Sequence, residues 1–384
     1  MYRLNEDQQR VVADAVAIAD TELAPRAAAV DREGAFPKES IAALGAKGLL
    51  GLNVPREYGG LGEGMRTAAA TIDRIAQRCP STAMVYLMHL CGVACYAAAP
   101  EKTAALLSAA AAGRHLSTLA FSEKGSRSHF WAPVSRAAAD GNGTVQITAQ
   151  KSFVTSAGHA DGYVVSTLAG GAAQPLESSI YLVLKDDAGV SVAGPWRGLG
   201  LRGNASAPMT LDKVTVGSSR ALTAPGKGLD MMLGIVLPLF HVGSAAVGIG
   251  IAEAAVQATI AHVTHARFEE SNSSLRDLPT LRAQIARMRI ETDRARAHLT
   301  AVLDSLESPG PETQLMVLEA KASGTEAAVA VTELAMRTCG GAAFGGAHGL
   351  ERLFRDARAP IIMAPTSDHA YEFIGRALCG MEVF

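Results

Sequence analysis

Charged and aromatic side chains are scarce in this 384-residue chain, at 19% and 5% of the sequence. The few charges nearly cancel, to a formal net charge of −2, so no basic surface is expected and nucleic acid is excluded as a partner. Hydrophobic residues reach 48%, which is enough to bury a large core and is not typical of a disordered chain. We therefore expect a compactly folded protein.

Cysteine is also scarce. The five cysteines are odd in number, and their spacing matches no zinc or redox motif. Cys91 and Cys95 are four residues apart, which suits one face of a helix better than a metal-binding loop. We expect reduced, mostly buried thiols and no metal site.

A secretory signal and a membrane span are not expected either. The N-terminal segment carries acidic residues early and has no apolar core. The longest apolar stretch, Met231 to Ala255, contains Pro238, His241 and Glu253, which favours a buried helix over a membrane span. The expected location is the cytoplasm.

Two changes of pattern along the chain predict three domains. Residues 1–115 are rich in Ala and Leu with helical spacing, and residues 226–384 return to that spacing. Between them, residues 116–225 contain alternating or β-rich runs such as Thr144–Thr148 and Ile180–Leu184. The predicted order is helical, β, helical.

Four strings carry the candidate binding residues. Phe121–Phe130 is rich in hydroxyls, and Phe153–Thr155 places an aromatic ring two positions before a threonine. Cys339–Gly346 contains four glycines, more than a helix end needs, and so allows close backbone approach to a ligand. Glu351–Arg358 is charged and leads to Met363–Asp368. Each string alone also fits a turn, a helix end or a solvated helix face.

Taken in order, these strings resemble the acyl-CoA dehydrogenase superfamily over nearly the whole chain. Residues 54–62 read VPREYGGLG and are similar to the family's VPxEYGGLG signature. The other matches are Ser122–Ser128 with the TEPxAGS flavin loop, Phe153–Thr155 with the W-I-T segment, Gly198–Gly203 with the G-x-RG turn, and Gly340–Gly341 and Arg355–Ala357 with the late GG and RDA motifs.

The resemblance implies an α+β fold that is mainly α. Its parts are an N-terminal helical domain (1–115), a central β-barrel-like domain (116–225) and a C-terminal four-helix bundle (226–384). It also implies FAD held between the β domain and the bundle, usually in a homodimer or homotetramer, and electron-transfer flavoprotein as a partner.

The resemblance also assigns cofactor-binding residues. Phe121, Ser122 and Ser128 should face the flavin, Phe153 should stack near the ring, and Thr155 should approach N5. Gly340 and Gly341 should reach the cofactor of a neighbouring subunit. Thr366 should lie over the pyrophosphate or ribose, as should Asp368, which stands where the family often has glutamine. Arg267 is shifted from the register of the pyrophosphate-binding arginine in the family's RxxFG motif.

The sequence departs from the family at its catalytic base. These enzymes remove a substrate α-proton with a glutamate at one of two positions. Ala364 and Phe240 occupy those positions, and His241 replaces the arginine that follows the second. A relocated base would have to be Asp368, Glu372 or His241.

Three functions therefore stay open. The first is an FAD-dependent oxidoreductase that oxidises an acyl thioester at its α,β carbons with a relocated base. The second is a flavin-dependent monooxygenase of the two-component hydroxylase type, acting on a small molecule with reduced FMN or FAD from a flavin reductase. Histidines near the ring would then be His89, His129, His241 or His369. The third is an inactive flavin- or acyl-binding subunit. No P-loop, zinc ligand set or Ser-His-Asp elbow supports another enzyme class.

Overall fold

The computed structural model describes residues 2–126, 129–140, 142–174, 176–268, 270, 272–346 and 348–383. Six helices precede the first strand: α1 (Glu6–Ile18), α2 (Ala27–Glu33), α3 (Lys38–Ala46), α4 (Met65–Ala76), α5 (Pro80–Ala97) and α6 (Pro100–Ala111). A capping box between Asn5 and Gln8 starts α1. Helix α5 is buried on nearly all sides and carries both Cys91 and Cys95 inside the core.

The middle of the chain forms two sheets. Its strands are β1 (Ser117–Ala120), β2 (Ala137–Ala139), β3 (Thr144–Val154), β4 (Gly162–Leu168), β5 (Ser178–Leu184), β6 (Val190–Val192) and β7 (Ala207–Gly217). One sheet has the order β1-β4-β5 and the other β2-β3-β7-β6. In the described part of these sheets β1 and β4 pair in parallel, and the pairs β2–β3, β3–β7, β4–β5 and β6–β7 are antiparallel. Side chains from both sheets, such as Ile147, Val165 and Leu211, form a separate small core.

The last third of the chain is helical again apart from the short pair β8 (Arg267–Phe268) and β9 (Ser273–Ser274). Its helices are α7 (Gly228–Met231), α8 (Leu237–His265), α9 (Pro279–Glu307), α10 (Thr313–Phe344), α11 (Leu350–Asp356), α12 (Arg358–Ile362) and α13 (Ser367–Leu378). The three long helices pack on one another, α13 packs on α10, and α4 packs on α8.

The segment Gly228–His265 is long and apolar enough to cross a membrane, but most of it is buried inside the molecule. It forms the central helix of the bundle, which agrees with the expectation of a buried helix. The fold class predicted from the sequence is confirmed: a mainly helical α+β chain with a β domain between two helical ones.

Candidate functional site

A cavity of about 490 Å³ lies where the β domain meets the bundle. One wall comes from the loops that follow β1 and β6 and from the end of β3, and the other from α5, α8, α12 and the residues before α13. Its volume is in the range of small-molecule and cofactor sites. It brings together Phe121, Ser122, Phe153 and Thr155, four of the residues that the family resemblance assigned to the flavin.

The wall from the β domain carries hydrogen-bonding groups that are held in place, beside apolar side chains such as Leu119 and Leu201. The backbone N–H of Ser152 donates to the Ser122 carbonyl at 2.8 Å. The buried hydroxyls of Thr155 and Ser206 lie 2.9 Å apart, and the Thr118 hydroxyl donates to the Thr155 carbonyl at 2.8 Å. With Asn204 these groups give the cavity one edge of fixed donors and acceptors.

Two aromatic rings border this polar edge. Phe153 has a positive φ of 54° at an irregularity between β3 and β7, and the residue is 70% exposed. The Trp196 ring stands edge-on to it, with 6.4 Å between centroids. A left-handed backbone conformation is unusual for a bulky residue and marks a functional constraint when the surroundings hold it. A flat ligand stacked here would cover the exposed ring.

A buried ion pair anchors the loop after β1. The Glu123 carboxylate lies 2.5 Å from the Lys151 ammonium, and both side chains are almost completely buried. The same carboxylate accepts from the backbone N–H groups of Val134 and Ser135 at 2.8 and 2.7 Å. Burial would raise the pKa of Glu123, but Lys151 and the Ser135 donors outweigh it and hold the pKa below its ordinary value. Glu123 is therefore an ionised structural group and a poor proton acceptor.

The opposite wall is apolar, and it contains the two positions where the family resemblance predicts a catalytic base. Phe240 and Ala364 line the cavity together with Val236, Ile362 and Met363. Among the described lining residues, the one carboxylate is Glu123. A flat heteroaromatic ring with one polar edge, such as the flavin isoalloxazine, fits between two such unlike walls.

The proposed relocated bases lie outside this cavity. His241 points from α8 toward α10, where its Nδ1 is 3.0 Å from the Val317 carbonyl oxygen. Burial, with a further contribution from Lys321, lowers the pKa of His241 to about 3. Asp368 and Glu372 are exposed on α13. None of the three lines the cavity.

The other candidate histidines take two kinds of position. His89 is fully buried, with Nε2 2.7 Å from the Leu50 carbonyl oxygen, and burial lowers its pKa to about 4. His129 and His369 meet edge to face at 5.2 Å between ring centroids, beside Trp131. This contact places the start of α13 against the loop after β1, close to the cavity but not in its lining.

The N-terminus of α13 and the cavity rim could both meet a phosphate. Thr366 caps the helix by accepting from the His369 N–H, and the buried Ser367 hydroxyl has no partner among the described residues. Helix N-termini attract anions, although Asp368 adds a negative charge in the same turn. Lys124, exposed at the rim, supplies a cation.

Five predicted cofactor residues do not line the cavity: Thr366 and Asp368 at the start of α13, and Gly340, Gly341 and Arg267. Helix α10 is interrupted at Gly340 (φ 55°, ψ −133°), and a Cβ added at Gly340 or Gly341 would meet no atom within 4 Å. Arg267 is exposed on β8. Their role at the cofactor of a neighbouring subunit therefore stays a prediction. Ser128 lies outside the described residues.

Sequence reasoning missed Trp196, Asn204 and Ser206, which line the cavity next to the flavin-assigned residues. The sequence did contain a clue to them, because these residues flank the GLGLRG turn (Gly198–Gly203), which resembles a family motif. The resemblance alone gave that turn no role.

Comparison with known proteins gives three consecutive family matches. The N-terminal, middle and C-terminal domains of acyl-CoA dehydrogenase match residues 5–114, 118–214 and 226–379. The "probable acyl-CoA dehydrogenase fadE25" of Mycobacterium leprae is 28% identical over 381 residues, which is 98% of this chain and 97% of that protein.

Several solved structures share the fold, among them a dehydrogenase and a monooxygenase. Butyryl-CoA dehydrogenase from Megasphaera elsdenii superposes with a TM-score of 0.90 at 20% identity, covering 98% of this chain and 99% of that one. The dibenzothiophene monooxygenase TdsC from Paenibacillus sp. A11-2, in its FMN-bound form, gives 0.87 at 24% identity over 97% of each chain. At such identities the likeness shows the fold alone.

Proposed function

The chain belongs to the acyl-CoA dehydrogenase superfamily, and we propose that it is a flavin-dependent monooxygenase of that fold, supplied with reduced FMN or FAD by a separate reductase. The observation that carries the proposal is the apolar wall of the cavity. Phe240 and Ala364 fill both positions from which a family glutamate would remove a proton. The one carboxylate in the described lining, Glu123, is held ionised by Lys151.

Reduced flavin bound in this cavity would supply two electrons to dioxygen, so that one oxygen atom enters the substrate and the other leaves as water. The residues of this chain would bind the flavin ring and shield it from water. Ser122 and Thr155 present hydrogen-bonding groups to the polar edge of the ring, and Phe153 covers part of its face. Phe240 and Ala364 keep water from the opposite side, which protects reactive species from hydrolysis and proton leakage.

A second candidate is an acyl-CoA dehydrogenase with a relocated base and electron-transfer flavoprotein as acceptor. Full-length similarity to curated acyl-CoA dehydrogenases favours it. It would require Asp368, Glu372 or His241 to reach the cavity after a conformational change. An inactive binding subunit would show neither activity.

An acceptor-reduction assay distinguishes the monooxygenase from the acyl-CoA dehydrogenase. Purified protein with added FAD is given short, medium and long saturated acyl-CoAs and an artificial electron acceptor. We expect negligible turnover, because among the described lining residues the one carboxylate is Glu123, which is paired with Lys151. Ala364→Glu restores a carboxylate at the family position, and burial there would raise its pKa toward the range of a working base.

Robust turnover by the unmodified chain would contradict the monooxygenase proposal. Asp368→Asn, Glu372→Gln and His241→Ala would then identify the base, since only the variant that loses it should lose the activity. Gain of acyl-CoA oxidation by Ala364→Glu alone would show that the cavity holds flavin in the family orientation and lacks only the base.

A further inference from the structure

The RDA and GLGLRG motifs, far apart in sequence, meet behind the cavity. The Asp356 carboxylate at the end of α11 accepts the backbone N–H of Leu201 at 2.6 Å, and this bond is buried. The Leu201 carbonyl in turn accepts from Trp196 Nε1 at 3.1 Å. Leu201 and Trp196 both line the cavity. The Asp356 carboxylate is thus connected through two hydrogen bonds to the Trp196 ring in the cavity wall.

Close packing holds the two motifs together. A Cβ on Gly200 would lie 2.2 Å from the Arg355 carbonyl oxygen, so only glycine allows the turn to rest on the end of α11. Leu201 itself has a positive φ of 47°. A left-handed leucine persists only where its surroundings determine it, and such residues cluster at functional sites.

Arg355 joins the N-terminal domain to the same point. Its guanidinium forms two bonds with the Asp31 carboxylate, at 2.6 and 2.9 Å, and a third with the Leu199 carbonyl at 3.1 Å. On the other side of the turn, the Gly203 N–H donates to the Ser81 hydroxyl at 3.3 Å. All three domains therefore contact the turn at Leu199–Gly203.

We propose that Asp356 and Arg355 form a latch on the Leu199–Gly203 turn and are positioning residues for the flavin cavity, because they set the place of Leu201 and Trp196 in its wall. The inference rests on the proposed function only in taking the cavity as the flavin site. The latch itself is a feature of the protein without cofactor.

The latch contains a group that titrates near neutrality. Asp356 is 2% exposed, and burial raises its pKa from 3.8 to about 7 against the lowering effect of the Leu201 N–H. An opened latch would expose the carboxyl to water and return its pKa toward the ordinary value. The charged and titratable groups that face Asp356 are Arg352 and Arg355, which lower its pKa, Asp31, which raises it, and the neutral buried thiol of Cys79.

The sign of the pH effect follows from linkage. The closed latch binds the proton more tightly than the opened one, so it is most stable where Asp356 is protonated. Its stability falls as pH rises from about 4 to about 7 and does not change further once both states are ionised. The wall at Trp196 should therefore loosen as pH rises toward 7.

The sequence has two tryptophans, Trp131 and Trp196, so Trp131→Phe leaves Trp196 as the one fluorescent reporter, and Trp196→Phe provides the blank. We expect its emission to shift to a more solvated signal as pH rises between about 4 and about 7. Adding Asp356→Asn should abolish the transition and hold the low-pH signal, because Asn keeps the carbonyl acceptor but does not ionise.

Glu351→Gln is the matched control. Glu351 contacts Arg355 on the outer side of the latch at 2.7 Å and should leave the transition in place. Emission that does not change with pH in the Trp131→Phe chain would overturn the proposal, as would the same transition in the Asp356→Asn chain. The Trp196 titration does not depend on flavin binding, so its outcome is independent of the proposed function.

Flavin affinity gives the second readout. Asp356→Ala leaves the buried Leu201 N–H without an acceptor and should weaken FMN or FAD binding about tenfold or more. Asp356→Asn should retain most of the flavin affinity that Asp356→Ala loses. Equal flavin affinity in the Ala and unmodified chains would show that Asp356 does not position the wall. If Asp356→Ala does not fold, the Trp196 titration of the Trp131→Phe chain decides alone.

Discussion

At the scale of single residues, the buried Glu123–Lys151 ion pair holds the loop after β1 in place and does not transfer protons. Lys151 is completely buried, and it also donates to the Ser166 carbonyl at 2.6 Å. Removing one partner of such a pair leaves an uncompensated buried charge. The loop that carries Ser122 to Ser126 depends on this pair because Glu123 ties it to β3.

Glu123→Gln should therefore lower the free energy of unfolding by about 3–5 kcal/mol, measured by urea denaturation. The double variant Glu123→Gln with Lys151→Met is the control. It removes the stranded ammonium while Gln still accepts from Val134 and Ser135, so most of the stability should return. A single variant within about 1 kcal/mol of the unmodified protein would mean that the pair is not structural.

At the scale of elements, the close packing of α8 against α10 sets the position of Phe240. The helices approach so closely that a Cβ on Gly248 would lie 2.4 Å from the Gly324 carbonyl oxygen, and a Cβ on Gly324 2.6 Å from the Ala245 Cα. Since α8 carries Phe240 into the cavity, this contact fixes the apolar wall.

Gly324→Ala should destabilise the protein by about 1–3 kcal/mol, because the helices must separate to admit the methyl group. Gly375→Ala on α13 is the matched control: its added Cβ meets nothing within 4 Å, so only the gain in helix propensity, up to about 1 kcal/mol, should appear. Thermal or urea unfolding of both variants measures the difference. Equal effects would show that the α8–α10 contact can relax.

Local pattern predicted most elements. The runs Thr144–Thr148 and Ile180–Leu184 both lie in strands, because alternation and β-branched residues are local signals. The glycines of the Cys339–Gly346 string interrupt the helix, since α10 has a non-helical backbone at Gly340 (φ 55°, ψ −133°) before its last residues reach Phe344.

At the scale of the whole molecule, the cavity exists because three domains meet. The sequence motifs predicted that Phe121, Ser122, Phe153 and Thr155 share a site. They did not predict that Trp196 borders the site or that Asp356 holds Leu201, because those contacts join residues up to 155 positions apart and leave no local pattern. Assembly into a dimer or tetramer stays a prediction, with Gly340, Gly341, Arg267 and the 85% exposed Phe344 outside the cavity of their own chain.

We propose that this cavity shields oxygen chemistry on reduced flavin and does not serve proton removal from an acyl-CoA. The most direct measurement mixes anaerobically reduced FMN with the protein and oxygenated buffer, and follows the release of hydrogen peroxide. We expect that the protein consumes oxygen but releases peroxide more slowly than free reduced FMN does, because the Phe240–Ala364 wall excludes water. Peroxide release at the rate of free FMN, or reduction of bound FAD by an acyl-CoA in the same preparation, would contradict it.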